Sequence, residues 1–114
     1  MLRRSSEKET AAVKRSPLAA QYLAQITTIL SEALRSKKCT VYLFGSRATG
    51  SATGASDFDL AVESLENLSE ELSLARDLLD GSNIPFTVDI VDLGTTSEQF
   101  ARQVRETGIH LWKN

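Results

Sequence analysis

The regular pattern of the chain begins after Pro17, where apolar side chains recur every three or four positions. This spacing continues over about five turns and is typical of an amphipathic helix. The apolar stripe consists of Leu18, Tyr22, Leu23, Ile26, Ile29, Leu30, Ala33 and Leu34. Proline suits the first turn of a helix, and Lys37 and Lys38 suit the negative end of the helix dipole. The pattern therefore predicts a helix between Pro17 and Lys37.

Four later segments have the composition or the alternation of strands. Residues 40–44 are β-branched and aromatic and stop at Gly45, which predicts a short buried strand. A twelve-residue polar loop is predicted at 45–56, before a segment in which apolar and acidic residues alternate. The remaining strand candidates are residues 86–91 and a last short segment, 109–112.

A second helix is predicted between the second and third strands. Asn67 with Glu70 three positions later resembles a capping box, and Gly81 is a plausible left-handed cap at the other end. The side chains predicted to point inward are Leu68, Leu72, Ala75, Leu78 and Leu79.

The last predicted helix begins at Thr96, which with Gln99 resembles another cap. Phe100 and Val104 are predicted to point inward, and Gly108 ends the helix. Helices and strands thus follow one another in an α+β arrangement: a small mixed sheet of three or four strands packed by helices. Strand order does not follow from the sequence.

Length and composition are those of a single soluble globular domain. The chain has 114 residues, of which 41% are hydrophobic and 25% are charged. No apolar run approaches the ~20 residues of a membrane helix, and no secretory signal is recognisable at the start. A cytoplasmic location is therefore expected.

Charge is distributed unevenly along the chain. Residues 1–16 contain five basic and two acidic residues, a net charge of +3, so that residues 17–114 carry −5 within the total of −2. We expect a flexible basic tail at 1–16 and one folded domain at 17–114. An acidic domain argues against direct nucleic-acid binding.

Cysteine and histidine contribute little candidate chemistry. Cys39 is the only cysteine, which excludes an internal disulfide and a multi-cysteine zinc site. His110 is the only histidine, so a histidine-based metal cluster is excluded as well.

Three carboxylates lie where a hydrophobic core would not favour them. Asp57 and Asp59 are two positions apart at the start of a strand, so their side chains emerge on one face and repel each other. Asp89 lies within an otherwise apolar strand, where an unpaired charge is costly. A hard divalent cation, Mg²⁺ above all, would compensate all three. The alternative is a turn containing Asp57 and Asp59, with a salt-bridged Asp89. Asp92 is a weaker candidate, because aspartate is common where a strand ends.

The loop before the acidic pair contains the complementary groups for a phosphate. Gly45 lets a ligand approach the backbone, Ser46 adds a hydroxyl donor, and Arg47 adds a charged donor. The segment is not a Walker A loop, because Ser51 and Ala52 stand where lysine and serine or threonine are required.

Taken together, Gly45-Ser46, ten intervening residues, Asp57-Phe58-Asp59 and a later Asp89 resemble the DNA polymerase β-like nucleotidyltransferase superfamily. Residues 43–50 and 56–62 look especially similar to the minimal nucleotidyltransferase (MNT) branch, the antitoxins of HEPN-domain ribonuclease toxins. The resemblance is close over residues 40–92 and looser in the flanking helices.

The resemblance implies an activity and a role for each motif residue. Gly45, Ser46 and Arg47 would bind the nucleotide phosphates, Asp57 and Asp59 would ligate two Mg²⁺ ions, and Asp89 would complete the metal site beside the attacking hydroxyl. The implied reaction transfers AMP from ATP to a hydroxyl, expected to be a tyrosine, of a partner HEPN toxin. The chain would then be the antitoxin of a type VII-like pair and form a hetero-oligomer with its toxin.

Two other functions remain open at this point. The chain could be a non-catalytic antitoxin that neutralises its toxin by binding. It could also transfer a nucleotide to an aminoglycoside or another small molecule, although no segment suggests a domain for holding such a substrate.

Overall fold

The computed structural model describes residues 17–50, 52 and 57–114. Its helices are α1 (Pro17–Ala33), α2 (Ser46–Thr49), α3 (Ser69–Asp80) and α4 (Glu98–Thr107). Its strands are β1 (Thr40–Phe44), β2 (Phe58–Glu63), β3 (Val88–Asp92) and β4 (Ile109–Lys113), with a 3-10 turn at Leu93–Thr95. The predicted tail at 1–16 lies outside the described residues, as do residues 51 and 53–56 of the predicted loop.

The four strands form one mixed sheet in the order β3-β2-β1-β4. The central strand β1 is antiparallel to both β2 and β4, whereas β2 and β3 are parallel. A parallel pair needs a crossover connection, and α3 lies in the segment that joins β2 to β3. The α+β prediction is confirmed, with four strands.

Both faces of the sheet are covered by apolar side chains. On one face, α1 and α3 pack over a core that includes Val41, Leu43, Phe58, Leu60, Val62 and Ile90. On the other face, Ala101 and Val104 of α4 pack with Leu93 over Tyr42 and Ala61. The central part of β2 is consequently buried on both sides.

The sequence predicted β1 with the observed bounds and placed β2, α4 and β4 within a residue or two. The first helix begins at Pro17 as predicted, but it ends at Ala33 and not near Lys37. The third strand was predicted to begin at Phe86, but β3 begins at Val88 and continues through Asp92. Phe86 packs against the core from the segment that precedes β3. The predicted polar loop at 45–56 contains the short helix α2.

Two predictions about α3 are wrong. Leu78 is 42% exposed, because its position lies roughly 90° around the helix from the centre of the stripe formed by Leu72, Ala75 and Leu79. Gly81 has φ −83°, a right-handed conformation. The amide of Gly81 donates to the carbonyls of Asp77 and Leu79, so the helix tightens at its end without a left-handed residue.

The predicted caps are also shifted or absent. Asn67 does not form a capping box, because its Oδ1 accepts from the amide and hydroxyl of Ser69 while Leu68 occupies the N-cap position. The α4 cap is Ser97 rather than Thr96: the Ser97 hydroxyl accepts from the Phe100 amide at 3.1 Å. Thr96 instead donates to the Leu93 carbonyl, which closes the 3-10 turn.

Among the described helices, none combines the length and the apolar character needed to cross a membrane.

Candidate active site

The sheet register brings together carboxylates from distant parts of the sequence. Asp59 on β2 is the direct partner of Asp89 on the parallel strand β3, and on its other side it is the partner of Phe44 at the end of β1. Neighbouring strands are about 4.8 Å apart. Asp57 immediately precedes β2, separated from Asp59 by the buried side chain of Phe58. The fold thus brings Asp59 and Asp89, two members of the predicted acidic cluster of Asp57, Asp59 and Asp89, onto adjacent strands.

The carboxylates influence one another electrostatically. Partial burial raises the pKa of Asp59, and the negative charges of Asp89 and Asp57 raise it further. Among the described residues, neither Asp59 nor Asp89 has an ion-pair partner. The alternative of a salt-bridged Asp89 thus receives no support from this part of the chain.

The cluster fits a cation that brings other ligands with it. Within the described ranges, no three His, Cys, Asp or Glu side chains are grouped so that they could hold a metal ion by themselves, and this includes the predicted set Asp57, Asp59 and Asp89. Mg²⁺ does not need such a group, because it is usually held by one or two carboxylates together with water and substrate phosphate oxygens. The adjacent, uncompensated carboxylates of Asp59 and Asp89 suit that mode of binding.

Gly45 lies directly against the Asp59 carboxylate. Its φ of +75° is in the region that favours glycine, and a Cβ built on it would overlap Oδ2 of Asp59. The Gly45 carbonyl accepts from the amides of Ala48 and Thr49 at 3.0 and 3.2 Å, which starts α2. The Gly45-Ser46 turn and the acidic cluster are therefore parts of one site.

Arg47 has a different environment from the one expected of a phosphate ligand. Its side chain is only 6% exposed, and its guanidinium carbon lies 4.3 Å from the ring centroid of Phe58 and 5.0 Å from that of Phe86. Burial lowers the pKa of Arg47, and the nearby charge of Asp57 opposes this effect.

A cavity of about 500 Å³ adjoins the carboxylates. Its lining includes Asp59, Asp89, Leu79, Asp80 and Arg76. The Arg76 guanidinium donates from Nη2 to the Ile90 carbonyl at 3.0 Å, on the strand that carries Asp89. Arg76 was not predicted from the sequence, because an exposed arginine on a helix resembles any other solvated charge. Its relation to β3 appears only when the crossover is folded.

Asp92, the weaker candidate, has a local structural role. Its Oδ1 accepts from the Gly94 amide at 2.9 Å and caps the 3-10 turn that follows β3.

Asp59→Asn is expected to stabilise the metal-free protein at pH 7. Because the folded-state pKa of Asp59 is raised, the folded protein binds the proton more tightly than the unfolded chain does. The contribution of this proton to the free energy of unfolding is fully present below the unfolded-state pKa of Asp59, and it is lost as the pH rises through the folded-state pKa. Urea denaturation at several pH values measures this. In Asp59→Asn, the free energy of unfolding should no longer change with pH through the titration of Asp59. Saturating Mg²⁺ should stabilise the wild type more than the variant.

Asp77→Asn on the exposed face of α3 is the control. An Asp59→Asn protein that is less stable than wild type at pH 7 would contradict the inference that the Asp59 charge is uncompensated.

Comparison with known proteins agrees with the motif and its geometry. The family described as "Polymerase beta, Nucleotidyltransferase" matches residues 24–114. The chain belongs to this family. The resemblance identified from the Gly45-Ser46 turn and the three aspartates is thus confirmed, and the matched region contains the whole of the candidate site.

One curated protein sequence shows a narrower similarity. A curated relative from Haemophilus influenzae (strain ATCC 51907 / DSM 11121 / KW20 / Rd), the probable protein adenylyltransferase MntA, is 42% identical over 88 residues, which cover 74% of this chain and 73% of the relative. Its similarity supports assignment to the MNT branch.

Solved structures extend the comparison. A crystal structure of a toxin-antitoxin with AMP-PNP matches with a TM-score of 0.59 and 30% identity, covering 77% of this chain and 73% of the other. A structure of tri-AMPylated Shewanella oneidensis HEPN toxin in complex with MNT antitoxin matches with a TM-score of 0.52 and 27% identity, covering 80% and 72%. A crystal structure of a nucleotidyltransferase from Sulfolobus solfataricus, at 21% identity and a TM-score of 0.51, covers 96% and 87% and shares the fold.

Proposed function

We propose that this nucleotidyltransferase transfers AMP from ATP to a tyrosine hydroxyl of a partner HEPN toxin, in a Mg²⁺-dependent reaction that silences the toxin. The observation that carries the proposal is the register pairing of Asp59 with Asp89 beside the glycine turn at Gly45. The similarity to MntA, and to structures of toxin-antitoxin complexes, supports adenylylation and the partner class. Because the reaction consumes ATP, we propose that it takes place in the cytoplasm.

In this proposal the turn and the acidic cluster act on different parts of the nucleotide. The Gly45 backbone and the Ser46 hydroxyl bind the β- and γ-phosphates, where the absence of a glycine side chain permits close approach. Asp57 and Asp59 supply oxygen ligands for two Mg²⁺ ions. When bound, these ions neutralise triphosphate charge and lower the pKa of the attacking hydroxyl.

Asp89 completes the site on the side of the acceptor. The tyrosine oxygen forms a bond to the α-phosphorus while the bond from that phosphorus to the α,β-bridging oxygen breaks, and pyrophosphate leaves in line. Asp89 would add a further ligand to the metal site and orient the hydroxyl, whose proton passes to solvent. Arg47 was predicted to assist at the phosphates, but its burial favours an indirect contribution.

The test is a transfer assay with the purified chain, its HEPN toxin and ATP labelled at the α-phosphate. We expect Mg²⁺-dependent label on a toxin tyrosine, an increase in toxin mass by AMP units, and loss of ribonuclease activity. Omitting the chain, or adding a chelator, should abolish labelling. The alternative of neutralisation by binding predicts an inhibited toxin that carries no label, and that result would overturn the proposal. Preferential labelling of an aminoglycoside would do so as well.

A further inference from the structure

Arg47 is the one charged residue, among those the structure describes, that is almost completely buried. Removing a guanidinium from water is unfavourable unless the protein supplies compensating interactions. Two of these are the faces of the Phe58 and Phe86 rings, within 4.3 and 5.0 Å of the guanidinium carbon. Cation–π attraction is strongest where water is excluded, so Arg47 is held tightly in its pocket.

The two rings belong to the segments that carry the three aspartates. Phe58 lies between Asp57 and Asp59, and Phe86 lies three positions before Asp89. The two ring centroids are 5.5 Å apart, with an edge-to-face geometry. The Phe58 amide also donates to the Thr87 carbonyl at 2.9 Å, which joins the starts of the two segments. A second ring contact, between Phe86 and Tyr22, connects this group to α1.

The backbone of Arg47 belongs to the phosphate turn. Arg47 lies in α2, two residues after Gly45, whose carbonyl starts that helix. A single side chain therefore connects the turn to both acidic segments. Burial lowers the pKa of Arg47, and the nearby negative charge of Asp57 offsets part of that effect.

We propose that Arg47 is a positioning residue that holds the Gly45-Ser46 turn in register with Asp57, Asp59 and Asp89 by stacking on Phe58 and Phe86, and does not itself contact phosphate. This inference rests on the proposed nucleotidyl transfer. It assigns Arg47 to the support of the site, whereas its position in the motif had indicated direct phosphate binding.

The test compares Arg47→Met, which keeps an unbranched chain of similar length, with Arg47→Lys, which keeps the charge but not the planar guanidinium. Phe86→Leu removes one stacking ring and leaves Arg47 in place. Arg102→Gln, on the exposed side of α4, is the matched control for loss of one positive charge. For each protein, kcat, the KM for ATP and the half-saturating Mg²⁺ concentration are measured in the transfer assay. Mn²⁺ affinity is measured separately on the chain alone.

For Arg47→Met, kcat should fall by about 10–100-fold, as is typical when a group that orients metal ligands is removed. The KM for ATP should stay within about threefold of wild type, while the Mg²⁺ requirement rises and Mn²⁺ affinity falls by a similar factor of about 10–100. Arg47→Lys should recover only part of the loss. Phe86→Leu should change the same quantities in the same direction, and Arg102→Gln should change none of them.

Three outcomes would overturn the proposal. A KM for ATP that rises about tenfold or more with unchanged kcat would show direct phosphate binding by Arg47. A lower melting temperature with unchanged kcat, Mg²⁺ requirement and Mn²⁺ affinity would show a purely structural role. If Arg47→Met does not fold, Phe86→Leu decides the question. A Phe86→Leu protein with wild-type kcat, Mg²⁺ requirement and Mn²⁺ affinity would contradict a positioning role that depends on stacking. Mn²⁺ affinity is measured without toxin or ATP, so it tests the role of Arg47 independently of AMP transfer. A wild-type chain that transfers no AMP would refute only the proposed function.

Discussion

Replacing both Asp57 and Asp59 with asparagine is expected to lower AMP transfer by at least about a thousandfold, because the variant loses two ligands for the ions that stabilise the transferring phosphoryl group. Asparagine preserves the shape of each side chain but removes its negative charge. Folding should be retained, since the Asp59 carboxylate is destabilised by its neighbours rather than paired with a cation among the described residues. Transfer of label from ATP to the toxin measures the effect.

The double variant separates catalysis from binding if complex formation is measured at the same time. Size-exclusion chromatography with the toxin should show a complex equal to that of wild type, while toxin labelling is absent and ribonuclease activity returns. Asp77→Asn, on the exposed side of α3, should label the toxin at the wild-type rate. If the double variant neutralises the toxin fully without labelling it, neutralisation occurs by binding. If the double variant labels the toxin at the wild-type rate, Asp57 and Asp59 are not catalytic residues.

Gly45→Ala is expected to remove most AMP transfer and to lower the free energy of unfolding by about 1–3 kcal/mol. The φ of +75° is unfavourable for any residue with a Cβ. The new methyl group would also overlap Oδ2 of Asp59, so that either the turn or the carboxylate must move. Both movements change the place where phosphate and metal ligands meet. Urea denaturation and the transfer assay measure the two effects.

Gly81→Ala is the matched control, because it makes the same chemical change at a glycine with ordinary geometry. Gly81 has φ −83°, and a Cβ there would meet its nearest neighbour, the Asp77 carbonyl oxygen, at 3.5 Å. Transfer should be unchanged, and stability should be equal or higher by about 0.4–1 kcal/mol because alanine restricts the unfolded chain. If Gly45→Ala behaves in the same way as Gly81→Ala, the close approach of the turn to Asp59 has no functional consequence.

Local sequence patterns were sufficient for the elements whose apolar side chains pack into a core. The stripe of α1 and the β-branched run of β1 predicted both elements, because the stripe packs into one core and β1 is buried between two, with Val41 and Leu43 on one face and Tyr42 on the other. Leu18, at the start of the α1 stripe, is 55% exposed. The errors occur at element ends. Leu78 and Gly81 were assigned from spacing and residue type, but the angle of α3 to the core and the local hydrogen bonds decided their environment. A 3-10 turn likewise moved the α4 cap from Thr96 to Ser97.

Some residues of the candidate site could also be predicted from local sequence, and others depended on the fold. Gly45, Ser46, Asp57 and Asp59 lie within one short stretch, so their residue types and spacing were enough to identify them. Asp89 was noticed as a charge within an apolar strand, but its proximity to Asp59 depends on β2 and β3 being parallel neighbours. Arg76 could not be identified, because its bond to the Ile90 carbonyl exists only when α3 crosses over the sheet.

By itself, the sequence determined the order of helices and strands, the α+β class and the residues of the nucleotidyltransferase motif, because periodicity and short-range spacing are local properties. The tertiary structure alone decided the strand order, the pairing of Asp59 with Asp89 and the inward direction of Arg47. Those features depend on which segments pack together. The Arg47 guanidinium, for example, is buried against the rings of Phe58 and Phe86, which come from separate segments and not from its own neighbours in the sequence.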